Sequence, residues 1–356
     1  MSRTFAARLA ASSIFACTMT FAPLARAQDS SSAAIANFYR GKTVTIVAGS
    51  SVGGGLDVYA RLVARHLGRF IPGNPNVVAT NMPGAGSLIA AKHVYSVAQK
   101  DGTQIAIFLP GAIFEPLIGT TDRSFFDPTK LNFIGNGNSE TVICVTRRDA
   151  PAKTYGEIFD KELVIGATGP GSTLVDYPLM MRNLLGAKFK IITGYKGSRE
   201  VSLAILQGEL QGICGLGWSS SKIQYPDIFE SGSAVKVFAQ EGVKEHRELA
   251  GKNIPLTIDF AKTPEQREVL ELFYTQGIIT RPFALPPGVP AERVAAMRKA
   301  FNEAMRDPDL QADAEKQKTD AVAQTGEEVQ QIVDKLYASS PDVIKRLKDA
   351  MGSKQQ

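Results

Sequence analysis

Thr43-Val44-Thr45-Ile46-Val47-Ala48, followed by Gly49-Ser50-Ser51-Val52-Gly53-Gly54-Gly55 and then by Leu56-Asp57-Val58-Tyr59-Ala60-Arg61, decides how the chain is to be read. The first run is β-branched and ends in small residues, as a short strand does. The last run opens a segment in which Ala60, Val63, Leu67 and Phe70 recur at spacings of three and four, the buried face of a helix. Between them lies a glycine loop. Glycine lets backbone amides approach a ligand closely, and the helix that follows aims its first unpaired N–H groups and the positive end of its dipole at the same point. Strand, loop and helix together make a cradle for an anion, with Ser51, Val52, Gly53, Gly54, Gly55 and Asp57 as its residues. The alternative is a flexible glycine turn in which Asp57 is an ordinary helix cap.

Working outward, the same grammar continues. Val77-Val78-Ala79 begins a strand, Pro83-Gly84-Ala85-Gly86 makes a turn, residues 88–97 read as a helix and 104–108 as a strand. It then restarts: strand 163–167, loop Gly169-Pro170-Gly171-Ser172, helix 176–185, strand 189–193, helix 196–206 and strand 210–216. Alternating strands and helices predict an α/β protein of two domains, each a mostly parallel sheet flanked by helices. Thr168, Gly169, Gly171 and Ser172 repeat the cradle in the second block. A ligand held from both sides, at the carboxyl ends of strands, is the expected arrangement.

Two extended segments, Val142 to Arg147 and Gly277 to Ala284, read as crossover strands that form a hinge. They divide the chain into a first domain of residues 28–141 and 278–356 and a second of residues 142–277. The remaining helices, with Val294, Met297, Phe301 and Ala304 on one face and Val329, Val333 and Leu336 on another, should pack back on the first domain.

The leader sets the compartment. Arg3 and Arg8 precede an apolar run from Leu9 to Phe21, and Ala25-Arg26-Ala27 offers a signal-peptidase site, so residues 1–27 are expected to be removed and the protein to be periplasmic. The apolar run is shorter than the roughly 20 residues a spanning helix needs, so an integral membrane protein is not expected. Phe15 spoils Ile14-Phe15-Ala16-Cys17 as a lipid-attachment site.

The formal charge of +5 falls to about +2 once Arg3, Arg8 and Arg26 leave. With no basic block interleaved by aromatics, a nucleic-acid partner is not expected. Cys144 and Cys214 survive processing and are compatible either with one bridge or with two buried thiols. Three scattered histidines, His66, His93 and His246, make no metal-ligand pattern, so neither a metal nor a cofactor is expected.

Gly41-Lys42-Thr43 fails as a phosphate loop because it precedes its strand. No G-x-S-x-G elbow occurs, and neither Ser51 nor Ser172 has a predicted base nearby, so no catalytic residue is assigned. Trp218, at the end of a predicted strand, either lines the ligand side of the second domain or belongs to its core.

An ordered set of motifs resembles the substrate-binding receptors of tripartite tricarboxylate transporters, the Bug family, over essentially the whole mature chain. The set is Tyr39-x-Gly41-Lys42-x-Val44-x-Ile46-Val47, Gly53 to Arg61, Asn81-x-Pro83-Gly84-Ala85-Gly86, Asp101-Gly102-Thr103, Gly169-x-Gly171-Ser172, Tyr195-Lys196-Gly197, Leu206-x-Gly208-Glu209-Leu210 and Ala284 to Pro290. The resemblance implies a type-II-like periplasmic binding fold whose loops matching Ser51–Asp57 and Thr168–Ser172 clamp a carboxylate. It implies delivery of a small organic acid to a membrane permease, with no enzymatic step. A monomer is expected.

Two departures from the family pattern bear on specificity. Ser51-Val52 stands where relatives have Ala-Pro, and no histidine follows Ser172. The apolar Val175, with Trp218, suggests a ligand less polar than citrate, an aromatic or branched carboxylate. The competing functions are an exported enzyme acting on a carboxylate ester in the same cleft, and a sensor that presents its ligand to a membrane signalling partner.

Overall fold

The computed structural model describes residues 24–352 except 51, 54, 120, 121, 169–171, 196 and 318, and gives only the backbone of residues 24–31. Most of the leader, together with Ser51, Gly54, Gly169 and Gly171, therefore lies outside the described residues.

In chain order the first half comprises α1 (Leu24–Tyr39), β1 (Thr43–Ala48), α2 (Gly55–Leu67), β2 (Asn76–Asn81), α3 (Leu88–Ser96), β3 (Gln104–Ile107), α4 (Gly111–Ile118), β4 (Asn132–Asn136), β5 (Val142–Arg147), β6 (Leu163–Gly166) and α5 (Thr173–Met180). There follow β7 (Phe189–Ile192), α6 (Ser198–Leu206), β8 (Gly212–Gly217), α7 (Trp218–Gln224), β9 (Val235–Glu241), α8 (Pro264–Ile278), β10 (Pro282–Leu285), α9 (Ala291–Arg306), α10 (Pro308–Lys316), β11 (Gln324–Thr325), α11 (Gly326–Tyr337) and α12 (Pro341–Ala350). The expected cleavage after Ala27 falls in the first turn of α1.

Two sheets form, in the strand orders β11-β4-β10-β3-β1-β2 and β7-β6-β8-β5-β9. Both are mixed. The βα units give parallel halves, β2-β1-β3 and β7-β6-β8, whereas β10, β4 and β11 in one sheet and β5 and β9 in the other pair antiparallel. By strand direction the sheets are mostly parallel as expected, because β4 runs with β1, β2 and β3, and β9 with β6, β7 and β8, while β10, β11 and β5 run against them. β5 and β10 are the strands that the chain enters from the opposite sheet.

The apolar spacing of α2 does what it predicts. Leu56, Tyr59, Ala60, Leu62, Val63 and Leu67 are buried, and each large aliphatic among them is worth about 2 kcal/mol over exposure. The second expected crossover strand is corrected. Helix α8 continues through Gly277 to Ile278, and the strand begins only at Pro282. Packing of Val269, Leu270, Leu272, Phe273 and Tyr274 carries the helix past its penultimate glycine.

The tail is also corrected in part. Helices α9 and α11 cover the first sheet, but α12 packs on α8 as well as α4, and the Ala350 carbonyl accepts a 2.8 Å bond from Asn183 Nδ2 beside the second sheet. One apolar cluster consequently runs from Ala106 and Phe108 to Ile165 and Tyr177, through Phe273 of α8 and Leu347 of α12.

Between the sheets, residues 136–140 and 277–281 lie side by side. Thr280 Oγ1 donates to the Asn138 carbonyl (2.6 Å), Gly137 N–H to the Arg281 carbonyl (2.9 Å) and Glu140 N–H to the Gly277 carbonyl (2.9 Å). The fully buried carboxamide of Asn136 ties them together. Its Nδ2 donates to the Asn138 and Ile278 carbonyls and to Gln324 Oε1, and its Oδ1 accepts from Arg281 N–H at 2.8 Å.

In the second sheet Cys144 and Cys214, on neighbouring strands, are joined as a disulfide. Beside it the fully buried Glu241 accepts the Gly215 N–H at 2.7 Å, while its other oxygen has no partner among the described residues. Burial pushes its carboxyl up to about 8, only partly offset by the Gly215 bond.

Asn136→Leu should lower the free energy of unfolding by about 3 kcal/mol in urea titration, because it strands a buried N–H and buried carbonyls. Glu241 holds its proton in the folded state over a range where the unfolded chain has lost it. Stability should therefore fall as pH rises from about 4.5 to 8, and Glu241→Gln should flatten that part of the profile.

Candidate ligand-binding site

The two loops singled out in the sequence follow β1 and β6, each at the carboxyl end of a strand flanked by parallel neighbours. In the first, Val52 is about three-quarters exposed and Gly53 has φ +77°. Asp57 does not face outward. It is 2% exposed, and its carboxylate accepts Gly53 N–H (2.8 Å), Asn81 Nδ2 (2.9 Å) and both Nε and Nη2 of Arg61 (3.0 and 2.9 Å). Burial alone would raise this carboxyl, but the bonds from Arg61, Gly53 and Asn81 outweigh it and hold it below the usual aspartate value. Asp57 thus fastens the loop from within and has no capacity left for an anion. Asn81 Nδ2 also bonds the Ser50 carbonyl at 3.0 Å, which adds a second fastening.

The neighbouring Gly84-Ala85-Gly86-Ser87 segment has positive φ at all four positions. At Ala85 and Ser87 that conformation costs about 1–2 kcal/mol each. Ser87 Oγ repays part by donating to the Gly49 carbonyl at 2.8 Å, and Gly49 must lack a side chain because a Cβ there would meet Ser87 at 2.5 Å. The sequence showed a turn here but not the strain.

In the second loop Thr168 Oγ1 donates to Ser172 Oγ at 2.6 Å, and Ser172 sits at the N-terminus of α5 with no side-chain bond to the helix. Trp218 is 4% exposed. Its Nε1 donates to Glu248 Oε2 at 2.9 Å, and its rings pack against Phe229 and His246. Of the two readings the sequence allowed, its placement is that of a core tryptophan.

Sequence reasoning missed the groups at the crossover. The Arg281 guanidinium lies over the Tyr59 ring, Cζ 5.2 Å from its centroid. A Cβ added at Gly55 would stand 3.2 Å from Arg281 Nη2, which places the guanidinium beside the N-terminus of α2. Across the crossover, Glu140 accepts Ser219 N–H (3.1 Å) and Ser219 Oγ (2.7 Å) in the first turn of α7. Burial pushes the Glu140 carboxyl up, and the Ser219 bonds only partly counter it. The single available signal was a lone cation inside an apolar crossover, Ile278-Ile279-Thr280-Arg281-Pro282. Nearby, a groove of about 920 Å³ opens between Ser219, Lys222 and Arg247 on one side and Gln311, Thr319 and Asp320 on the other.

Comparison with solved structures gives a TM-score of 0.68 against a TctC solute-binding protein from Polaromonas, at 20% identity over 87% of this chain and 99% of that one. The fold is that of the TctC periplasmic binding proteins. MatC from Rhodopseudomonas palustris, solved with bound malate, matches with a TM-score of 0.54 at 19% identity over 87% of this chain and 99% of that one.

In sequence, the chain is 29% identical over 182 residues to the UPF0065 protein in gbd 5'region of Cupriavidus necator, covering 48% of this chain and 53% of that protein. The chain thus spans about half the length of the curated relatives it matches. No family model matches.

Two of the three histidines are engaged elsewhere. His66 lies 3.1 Å from Asp313 Oδ2, and His246 packs on Trp218. Among the described residues one trio of metal-capable side chains lies close together, Cys144, Cys214 and Glu241, but its sulfurs are bonded to each other. No described helix is long and apolar enough to cross a membrane.

Asp57→Ala should cost about 1 kcal/mol in chemical denaturation, since it removes the buried carboxylate that accepts bonds from the exposed Gly53 and Arg61 and the half-buried Asn81. In the wild type that contribution is present above the normal aspartate range and is lost as pH falls through the depressed value.

Proposed function

We propose that this protein is an exported, non-enzymatic receptor that captures a small organic carboxylate between its two lobes and delivers it to the membrane permease of a tripartite transporter. The observation that carries this reading is the duplicated device, a loop running into a helix N-terminus at the carboxyl end of the first strand of each βα repeat, one in each sheet. Helix N-termini attract anions through unpaired N–H groups and the helix dipole. The malate seen in a protein of the same fold agrees in ligand chemistry.

In this reading the lobes are residues 28–141 with 278–356, and residues 142–277, after cleavage behind Ala27. Ser51, Val52, Gly53, Gly54 and Gly55 present one set of groups, and Thr168, Gly169, Gly171 and Ser172 the other. Asp57 shapes the first loop without touching ligand, and Trp218 supports the second lobe from its core. Because contacts to both loops exist only when the lobes approach, ligand shifts the population toward a closed form that the permease recognises. The receptor acts as a monomer.

A thermal-shift screen of residues 28–356 against mono-, di- and tricarboxylates, aromatic acids and amino acids tests this. A true ligand at a hundredfold excess over its Kd stabilises by about 2.7 kcal/mol, and mass spectrometry should recover it unchanged. Chemical turnover would replace the receptor with an enzyme. No shift across the panel would remove the carboxylate assignment.

A further inference from the structure

Arg281 is held as a binding group is held, yet among the described residues most of its hydrogen-bonding capacity is unused. Its backbone is fixed on both sides, N–H to Asn136 Oδ1 at 2.8 Å and carbonyl from Gly137 N–H at 2.9 Å. Its side chain, half-buried, rests on Tyr59, and Nη1 donates to the Thr280 carbonyl at 2.8 Å. Nε is fully buried and has no partner, and among the described residues no carboxylate comes within ion-pairing distance. The acid that acts on it most directly, Glu140, has both oxygens committed to Ser219.

A guanidinium stays charged in any protein environment, so the unused N–H groups of a partly buried one remain open to an anionic acceptor. Nη2 lies against Gly55, the first residue of α2. That helix has 13 residues, and its other local charges, Asp57 and Arg61, neutralise one another. The positive helix terminus and an uncompensated guanidinium therefore converge on one place. A planar carboxylate matches both, accepting paired N–H bonds from the guanidinium and backbone N–H bonds from the helix.

We propose that Arg281 makes direct contact with the ligand's carboxylate and sets the receptor's specificity for an acid over its neutral amide. The inference rests on the carboxylate-receptor reading and adds to it a discriminating residue on the crossover, outside both glycine loops.

The test is calorimetric titration of wild type, Arg281→Met and Arg281→Lys with malate, succinate, phenylacetate and 2-methylbutyrate, each beside its primary amide. Wild type should prefer at least one acid over its amide by tenfold or more. Arg281→Met should weaken that acid by about a hundredfold while leaving the amide unchanged, and Arg281→Lys should fall between. The ligand-free melting temperature of Arg281→Met should stay close to that of wild type, because no ion pair among the described residues is lost; a large drop would mark the arginine as structural and overturn the proposal. Equal acid affinity in wild type and Arg281→Met would overturn it too, with the receptor reading intact. If wild type binds none of the acids, the receptor reading fails and takes the inference with it. Failure of Arg281→Met to fold would count as that same large drop and would overturn the proposal likewise.

Discussion

A single carboxamide, that of Asn136, holds the two crossings of the chain in register. An isolated pair of short extended segments is marginal in water, and a hinge made of two such segments would fray without a cross-tie. Asn136 bonds backbone groups in both crossings and also the Gln324 side chain beside β11. The position of Arg281, the path of residues 137–140 and the approach of the tail to the first sheet all depend on it. A buried amide does this better than an apolar residue because its bonds are directional, and each leaves a costly orphan if the geometry slips.

Charge around the crossover is arranged in pairs that serve different ends. Asp57 and Arg61 cancel each other while fastening a loop. Glu140 spends its oxygens on α7 and so draws a helix of the second sheet to the crossover. These internal carboxylates occupy helix N-termini much as an external one would, which shows that the local chemistry suits anions. Strain in residues 84–87 adds to the picture. Four successive positive φ values beside the first loop are kept only because Ser87 and Gly49 interlock.

What the sequence made legible was whatever repeats locally. Strand β1, the buried face of α2 from Leu56 to Leu67 and the βα units of both sheets follow from apolar spacing. The features it hid depend on distant contacts. Gly277 reads as the start of an extended crossover, but a helix face buried as far as Tyr274 carries α8 past it. Helix α12 meets α8 as well as α4, a contact that no local pattern announces. Asp57 could cap or bind until Asn81 and Arg61 were seen to claim it. Arg281 gave almost no signal, because the residues that make it notable, Tyr59 and Gly55, are more than two hundred positions away.

The bond between Cys144 and Cys214 encloses β6, α5, β7 and α6, with two of the three strands of the parallel half of the second sheet. Closing a loop of this span removes about 4 kcal/mol of freedom from the unfolded chain in the entropic model. The sheet therefore has two strengths, set by the surroundings of its sulfurs. With the thiols reduced, the strands and helices between them are free to separate along the chain; with the bond made, they can come apart only as a closed loop, so the redox state of two buried sulfurs sets how far this part of the second sheet can open.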